Sequence, residues 1–216
     1  MNDLNHYTSA PHSGGKPKQV IVLLHGYGSN GRDLISLAPY WQTGVPDAIF
    51  VSPDAPFPCE LGMGFQWFST MDRDKTKYLE RLEVAAPILD KYLDKLLDKY
   101  GLEDKEMALV GFSQGTMMSL YTGPRRKQQI AGILGYSGAL IGGEGLDGEN
   151  KPPIHLIHGE NDSVVPVSSY HKAVEILTEK GYPLSGHTTP MLDHSIDGEG
   201  IESGAKFLAE TLNNIN

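Results

Sequence analysis

The chain has 216 residues, of which 39% are hydrophobic and 21% charged, so it reads as one ordinary globular domain with a sizeable core. Its net charge of −9 argues against nucleic-acid partners and against electrostatic binding to anionic membranes. A single cysteine, Cys59, excludes an internal disulfide and a cysteine-based metal site, and fits a reducing compartment.

Residues 1–17 read as a loose lead-in with room for a short edge strand. The first 19 residues lack the apolar core of a signal peptide. No apolar run approaches the ~18 residues of a membrane span, so a cytoplasmic protein is expected. Gln19–Leu24 is an apolar, β-branched run that suits a strand buried on both faces, and it ends in the glycine-rich turn 25–31. Asp33–Trp41 has the period of a helix, and Ala48–Val51 that of a second short buried strand. Residues 56–74 form a long connection, too apolar to hang free of the core. Tyr78–Tyr100 has a helical period that Pro87 interrupts, which predicts a kink or a start near Ala86, and Gly101 is a natural stop. Met107–Val110 is the next strand, with a helix after residue 113 that Gly123-Pro124 ends. Strands over Ile130–Tyr136, Ile154–His158 and Leu184–Pro190 follow, with helices over Val167–Lys180 and Ile196–Leu212. This alternation predicts a mainly parallel sheet with helices on both faces, and a site outside the C-terminal strand ends.

Gly111-Phe112-Ser113-Gln114-Gly115 joins the Met107 strand to its helix. A strand turning sharply into a helix strains the middle residue and leaves no room for side chains beside it, which glycines 111 and 115 relieve. The turn lifts the Ser113 hydroxyl to a helix N-terminus, where negative charge is favoured. A serine needs a base, and the base an orienting acid. His171 falls inside a helix and His187 inside a strand, whereas His194 lies in the loop after the last strand, where a base belongs. Asp147 is several residues from the next strand, and Asp193 adjoins His194; Asp162, four residues after a strand, is the better acid. The order Ser113, Asp162, His194 is that of the α/β-hydrolase fold. Backbone N–H groups of Tyr27 and Gln114 are the candidate oxyanion donors, and His25 reads as a ring that holds the Tyr27 turn. No His, Asp or Glu cluster has metal-ligand spacing, and no cofactor motif is present.

Leu23-Leu24-His25-Gly26-Tyr27-Gly28, Ser52-Pro53-Asp54-Ala55-Pro56, Gln66-Trp67-Phe68, the Ser113 pentapeptide, His158-Gly159 with Asp162 and Val165-Pro166, and His194-Ser195-Ile196 together carry a resemblance. On these residues the chain resembles the small carboxylesterase/phospholipase family of α/β hydrolases, which includes the acyl-protein thioesterases. The resemblance implies a single-domain α/β-hydrolase fold over residues 18–216 without a large lid domain. It also implies a cofactor-free serine esterase for short- to medium-chain acyl esters or thioesters, with acyl-protein thioesterase or lysophospholipase as alternatives. By carry-over, Ser113, Asp162 and His194 match the family's catalytic positions, and Tyr27 and Gln114 its oxyanion amides. Two positions depart from the pattern: Thr116 replaces a glycine, and Asp193 stands where a glycine is common before the base.

The short link after the elbow helix predicts an open, shallow site. The Leu61–Phe68 stretch, with Leu61, Met63, Phe65 and Trp67, is the expected wall of an acyl groove, and Val164 and Val165 part of another. A peptidase or lactone hydrolase on the same fold, and a ligand receptor that keeps the fold without chemistry, are the other readings. An exposed apolar groove would also suit a homodimer.

Overall fold

The computed structural model describes residues 4–71 and 74–213. β1 (His6–Ser9) is followed by β2 (Gln19–Leu24), α1 (Gly31–Leu34), α2 (Ala38–Trp41) and β3 (Ala48–Pro53). A small hairpin of β4 (Phe57–Pro58) and β5 (Phe65–Gln66) leads to the long α3 (Tyr78–Tyr100). Then come β6 (Met107–Phe112), α4 (Gln114–Thr122), β7 (Gly132–Tyr136), β8 (Ile154–Gly159), α5 (Ser168–Glu179), β9 (Leu184–Thr189) and α6 (Gly198–Asn213).

Seven strands form one sheet in the order β1-β3-β2-β6-β7-β8-β9. All neighbours are parallel except β1, which runs antiparallel to β3 at the edge. β2, β3, β6, β7 and β8 are almost wholly buried, and alternate residues feed opposite faces. Val20, Val22 and Leu109 pack with Leu82, Leu89 and Leu93 of α3 and with Leu177 of α5. Ile21, Leu23 and Val110 pack with Trp41 of α2 and with Phe207, Leu208 and Leu212 of α6. The result is one sheet between two helical layers. From β2 the chain passes outward to β3 and then returns to β6 on the other flank. The crevice between the C-terminal ends of β2 and β6 is therefore the switch point of the sheet.

Two helices differ from expectation. The stretch predicted as one helix from Asp33 is two short turns, α1 and α2, joined by a 3₁₀ turn at Ile35–Leu37. Pro39, near the start of α2, has no N–H to give and crowds the carbonyl four residues back. By contrast α3 runs continuously through Pro87 and does not begin at Ala86. Pro87 and Glu83 both lie on the exposed face, so water can satisfy the carbonyl that loses its partner. The α3 terminus follows the expectation for Gly101, which is left-handed at φ 68°, while the Leu102 N–H bonds to the Leu97 carbonyl.

Candidate active site

Ser113 sits between β6 and α4 at φ 54° and ψ −115°, a conformation that costs a non-glycine residue free energy. The surroundings hold it there. A Cβ on Gly115 would strike the Leu24 carbonyl, and one on Gly111 would strike the start of α4. The Ser113 N–H bonds to the Tyr136 carbonyl at 2.9 Å, and its own carbonyl accepts from Met117. Thr116 has a partner for its hydroxyl, which lies 2.7 Å from the Gly111 carbonyl and 2.8 Å from that of Tyr136. Its methyl fills space that Cβ atoms on Gly135 and Gly138 would need. The glycine absent at 116 is thus matched by glycines on the neighbouring strand and loop.

His194 and Asp162 meet across two loops. Asp162 Oδ2 accepts from His194 Nδ1 at 2.7 Å, and the aspartate side chain is fully buried. Oδ1 of the same carboxyl accepts the Val164 and Val165 N–H groups at 2.9 and 2.7 Å. Because a carboxylate only accepts, the Nδ1 atom of His194 carries a proton, which in the neutral ring makes Nε2 the nitrogen with the lone pair. The His194 ring lies against Phe112, centroids 4.9 Å apart, which brings it to the residue preceding Ser113. Asp193 also takes part: its Oδ1 accepts from the Ser163 N–H, the Ser163 hydroxyl and the His194 N–H, each at 2.8 Å. Those donors hold the Asp193 carboxyl below the usual carboxylate range. Asp193 therefore ties the Asp162 loop to the His194 loop. Gly159 lets the two loops approach, since a Cβ there would strike the Leu192 and Asp193 carbonyls.

The turn after β2 is fixed from below. His25 is fully buried; its Nε2 accepts the Ala55 N–H at 2.9 Å, so its Nδ1 must be the donor to the Gly26 carbonyl at 2.7 Å. Burial lowers the His25 pKa, consistent with this neutral tautomer. The hairpin closes over the same turn: Gly28 N–H bonds to Phe65 O, and Phe65 N–H to Ser29 O, at 2.9 and 2.8 Å. Among the described residues, the backbone N–H groups of Tyr27 and Gln114 are committed to no other bond. The Tyr27 hydroxyl donates to Glu60, and burial with the neighbouring Cys59 and Glu60 pushes its pKa up to about 12. It remains a neutral phenol at any working pH.

Next to Ser113 lies a cavity of about 510 Å³. Tyr27, Ser113 and Gln114 border it, and Val164 and Val165 line it. The expectation for the Leu61–Phe68 stretch is corrected here, because none of Leu61, Met63, Phe65 and Trp67 lines this cavity. Leu61 and Met63 stand out at the exposed hairpin tip, and Phe65 is spent pairing with the Tyr27 turn. Trp67 is fully buried, and its indole N–H donates to the His25 carbonyl at 3.0 Å. The Gln114 side chain accepts from the Trp67 N–H and donates to the Phe68 carbonyl, both at 2.8 Å. This stretch braces the site. The walls come instead from Met117, residues 139–141, Tyr78, and the face of α5 bearing Ser169 and Lys172. The apolar triplet Ala139-Leu140-Ile141, directly beyond the C-terminal end of β7, was the signal available in the sequence.

The other histidines lie elsewhere. His155, at the start of β8, bonds to the hydroxyls of Ser185 and Ser203, each at 2.7 Å, far from the C-terminal strand ends where Ser113 sits. His187 is its half-buried neighbour on β9. His158 Nε2 lies 2.8 Å from the Val165 carbonyl and 3.3 Å from Asp162 Oδ2, and burial lowers its pKa.

A mainly parallel sheet with a strained serine turn at its switch point defines a single-domain α/β hydrolase. The profile of the phospholipase/carboxylesterase family matches residues 6–212, and the chain belongs to that family of carboxylic-ester hydrolases. It is 40% identical to the solved structure of esterase PE8, with a TM-score of 0.92 over 98% of this chain and all of that one. Acyl-protein thioesterase 1 of Gibberella zeae is 28% identical over 212 residues, 89% of this chain and 90% of its own length. Esterase YpfH of Escherichia coli is 25% identical over 195 residues, 90% and 84% of the two chains. Among the described residues, no helix is long and apolar enough to cross a membrane.

Proposed function

We propose that the protein hydrolyses short- to medium-chain acyl esters by two-step acyl transfer through Ser113, His194 and Asp162. The observation that carries this reading is the His194–Asp162 bond of 2.7 Å, made by a ring that packs against Phe112, the residue before the strained Ser113 turn. In the first step His194 Nε2 takes the Ser113 proton as Oγ attacks the substrate carbonyl. Asp162, held by two N–H groups and the imidazole, stabilises the cation that forms. The uncommitted Tyr27 and Gln114 N–H groups receive the oxyanion; one such donor contributes ~3 kcal/mol. His194 then protonates the leaving oxygen, and water, activated by the same imidazole, releases the acid.

A thioester substrate is the second reading. It is favoured by the relative named acyl-protein thioesterase 1 and by a mechanism that makes no demand on the leaving atom beyond protonation. Hydrolysis of 4-nitrophenyl esters from acetate to palmitate, and of the matching thioesters, tests both for the wild type and Ser113→Ala. Turnover that peaks at short or medium chains and vanishes in the variant is expected. Turnover that survives in Ser113→Ala would remove the serine from its role.

A further inference from the structure

We infer that Lys172 selects acyl groups that end in an anionic group, so that half-esters or half-thioesters of dicarboxylic acids are favoured substrates. The inference rests on the proposed role of Ser113 and follows from which groups border the cavity. Ser113, Gln114 and Tyr27 border it, and His194 does not. The leaving atom has to sit at His194 Nε2 to receive its proton. A cavity that opens from the serine and the oxyanion donors, away from the histidine, therefore receives the acyl half of the substrate.

Among the described residues, the lining of that cavity carries one formal charge. Apolar side chains and the hydroxyls of Thr70, Tyr78 and Ser169 make up most of it, and among the described residues no carboxylate borders it. Lys172 is the exception. It lies three residues beyond Ser169 on the same face of α5, ~4.5 Å further along the axis, on the exposed rim. Lys18, Lys105 and Lys180 each hold a carboxylate, but Lys172 has no ion-pair or hydrogen-bond partner among the described residues. The chain carries nine net negative charges, so an anion reaching this site is drawn by a local ammonium against an unfavourable overall field. A carboxylate at the far end of a short acyl chain would meet the Lys172 ammonium and the Ser169 hydroxyl, while its methylenes lie along Val164, Val165 and Met117. An anion on the leaving group, such as a phosphate, would lie on the His194 side and gain nothing from Lys172.

Steady-state hydrolysis of mono-4-nitrophenyl glutarate and of 4-nitrophenyl valerate compares anionic and neutral five-carbon acyl groups. An exposed ion pair limits the effect, so the glutarate-to-valerate ratio of kcat/KM is expected to fall about fivefold in Lys172→Ala. It should fall further in Lys172→Glu and recover in Lys172→Arg. The wild-type ratio should also shrink as salt is raised. An unchanged ratio in both Lys172→Ala and Lys172→Glu overturns the inference. Should the wild type hydrolyse neither ester, the ester reading fails by itself, and calorimetric binding of free glutarate and valerate then decides. Tighter glutarate binding lost in Lys172→Glu supports the role of the lysine, and equal binding by both proteins refutes it.

Discussion

Replacing Trp67 by phenylalanine separates a brace from a groove wall. The indole N–H donates to the His25 carbonyl at 3.0 Å inside a fully buried pocket. Phenylalanine keeps an aromatic ring and removes that donor. A buried carbonyl left without its partner costs ~1–3 kcal/mol, and the smaller ring adds ~1 kcal/mol of lost packing. For a domain of this size each kcal/mol lowers Tm by ~2–4 °C, so a fall of about 5–10 °C is expected by calorimetry. The same bond holds the segment from which the Tyr27 turn departs. Complete loss of an oxyanion donor costs ~10²–10³ in kcat, so partial misplacement of the turn should cost about tenfold. Chain-length preference should not move, because Trp67 does not border the cavity. A variant with wild-type Tm and an altered chain-length profile would refute the brace and restore the groove wall.

Thr116→Gly should destabilise by ~2–3 kcal/mol in urea unfolding, through a buried hydroxyl bond, an unfilled methyl site and glycine's helix penalty. Equal stability would show that the glycines at 135 and 138 are not its counterparts. Asp193→Ala should lower kcat about tenfold with KM unchanged, since the His194 loop loses its tie to Ser163. Asp193→Asn keeps the acceptor oxygen and should recover most of that loss; failure of both variants to change kcat would discard the tie. Stability should fall with acid. Burial lowers the His25 and His158 pKa values and takes His155 to about 4, so in each case the unfolded chain binds the proton first. The contribution is complete above ~6.5 and is lost as pH falls; for His155 alone it amounts to ~3 kcal/mol by pH 4. His155→Gln should flatten part of the Tm profile between pH 6.5 and 4, and an unaltered slope would contradict the assignment.

What could be read beforehand tracks how tightly chemistry constrains the chain. The strand over Gln19–Leu24 has the bounds its composition predicts, because a run of β-branched residues buried on both faces has few alternatives. The glycines at 111 and 115 were legible for the same reason: only a missing Cβ permits the contacts they make. Pro87 does not start a helix, the second of its two expected outcomes, because a proline's cost depends on which way the freed carbonyl faces, and that is a tertiary fact. The break at Pro39 is the opposite case, a local veto hidden inside an amphipathic period.

The walls of the cavity were the least legible part, and the reason is physical. An apolar residue in a long loop satisfies the same free-energy demand whether it lines a groove or plugs the core. Trp67 plugs, and Val164 and Val165 line, yet their apolar surface alone does not distinguish the two fates. Polar atoms carry more information, because each buried one must find a partner. The hydrogen bonds of Trp67 Nε1 and of the Gln114 amide knit the hairpin, the β2 turn and the serine elbow into one unit. The elbow's strained backbone persists because these three segments hold each other, so loosening the segment farthest from the chemistry should be felt at Ser113.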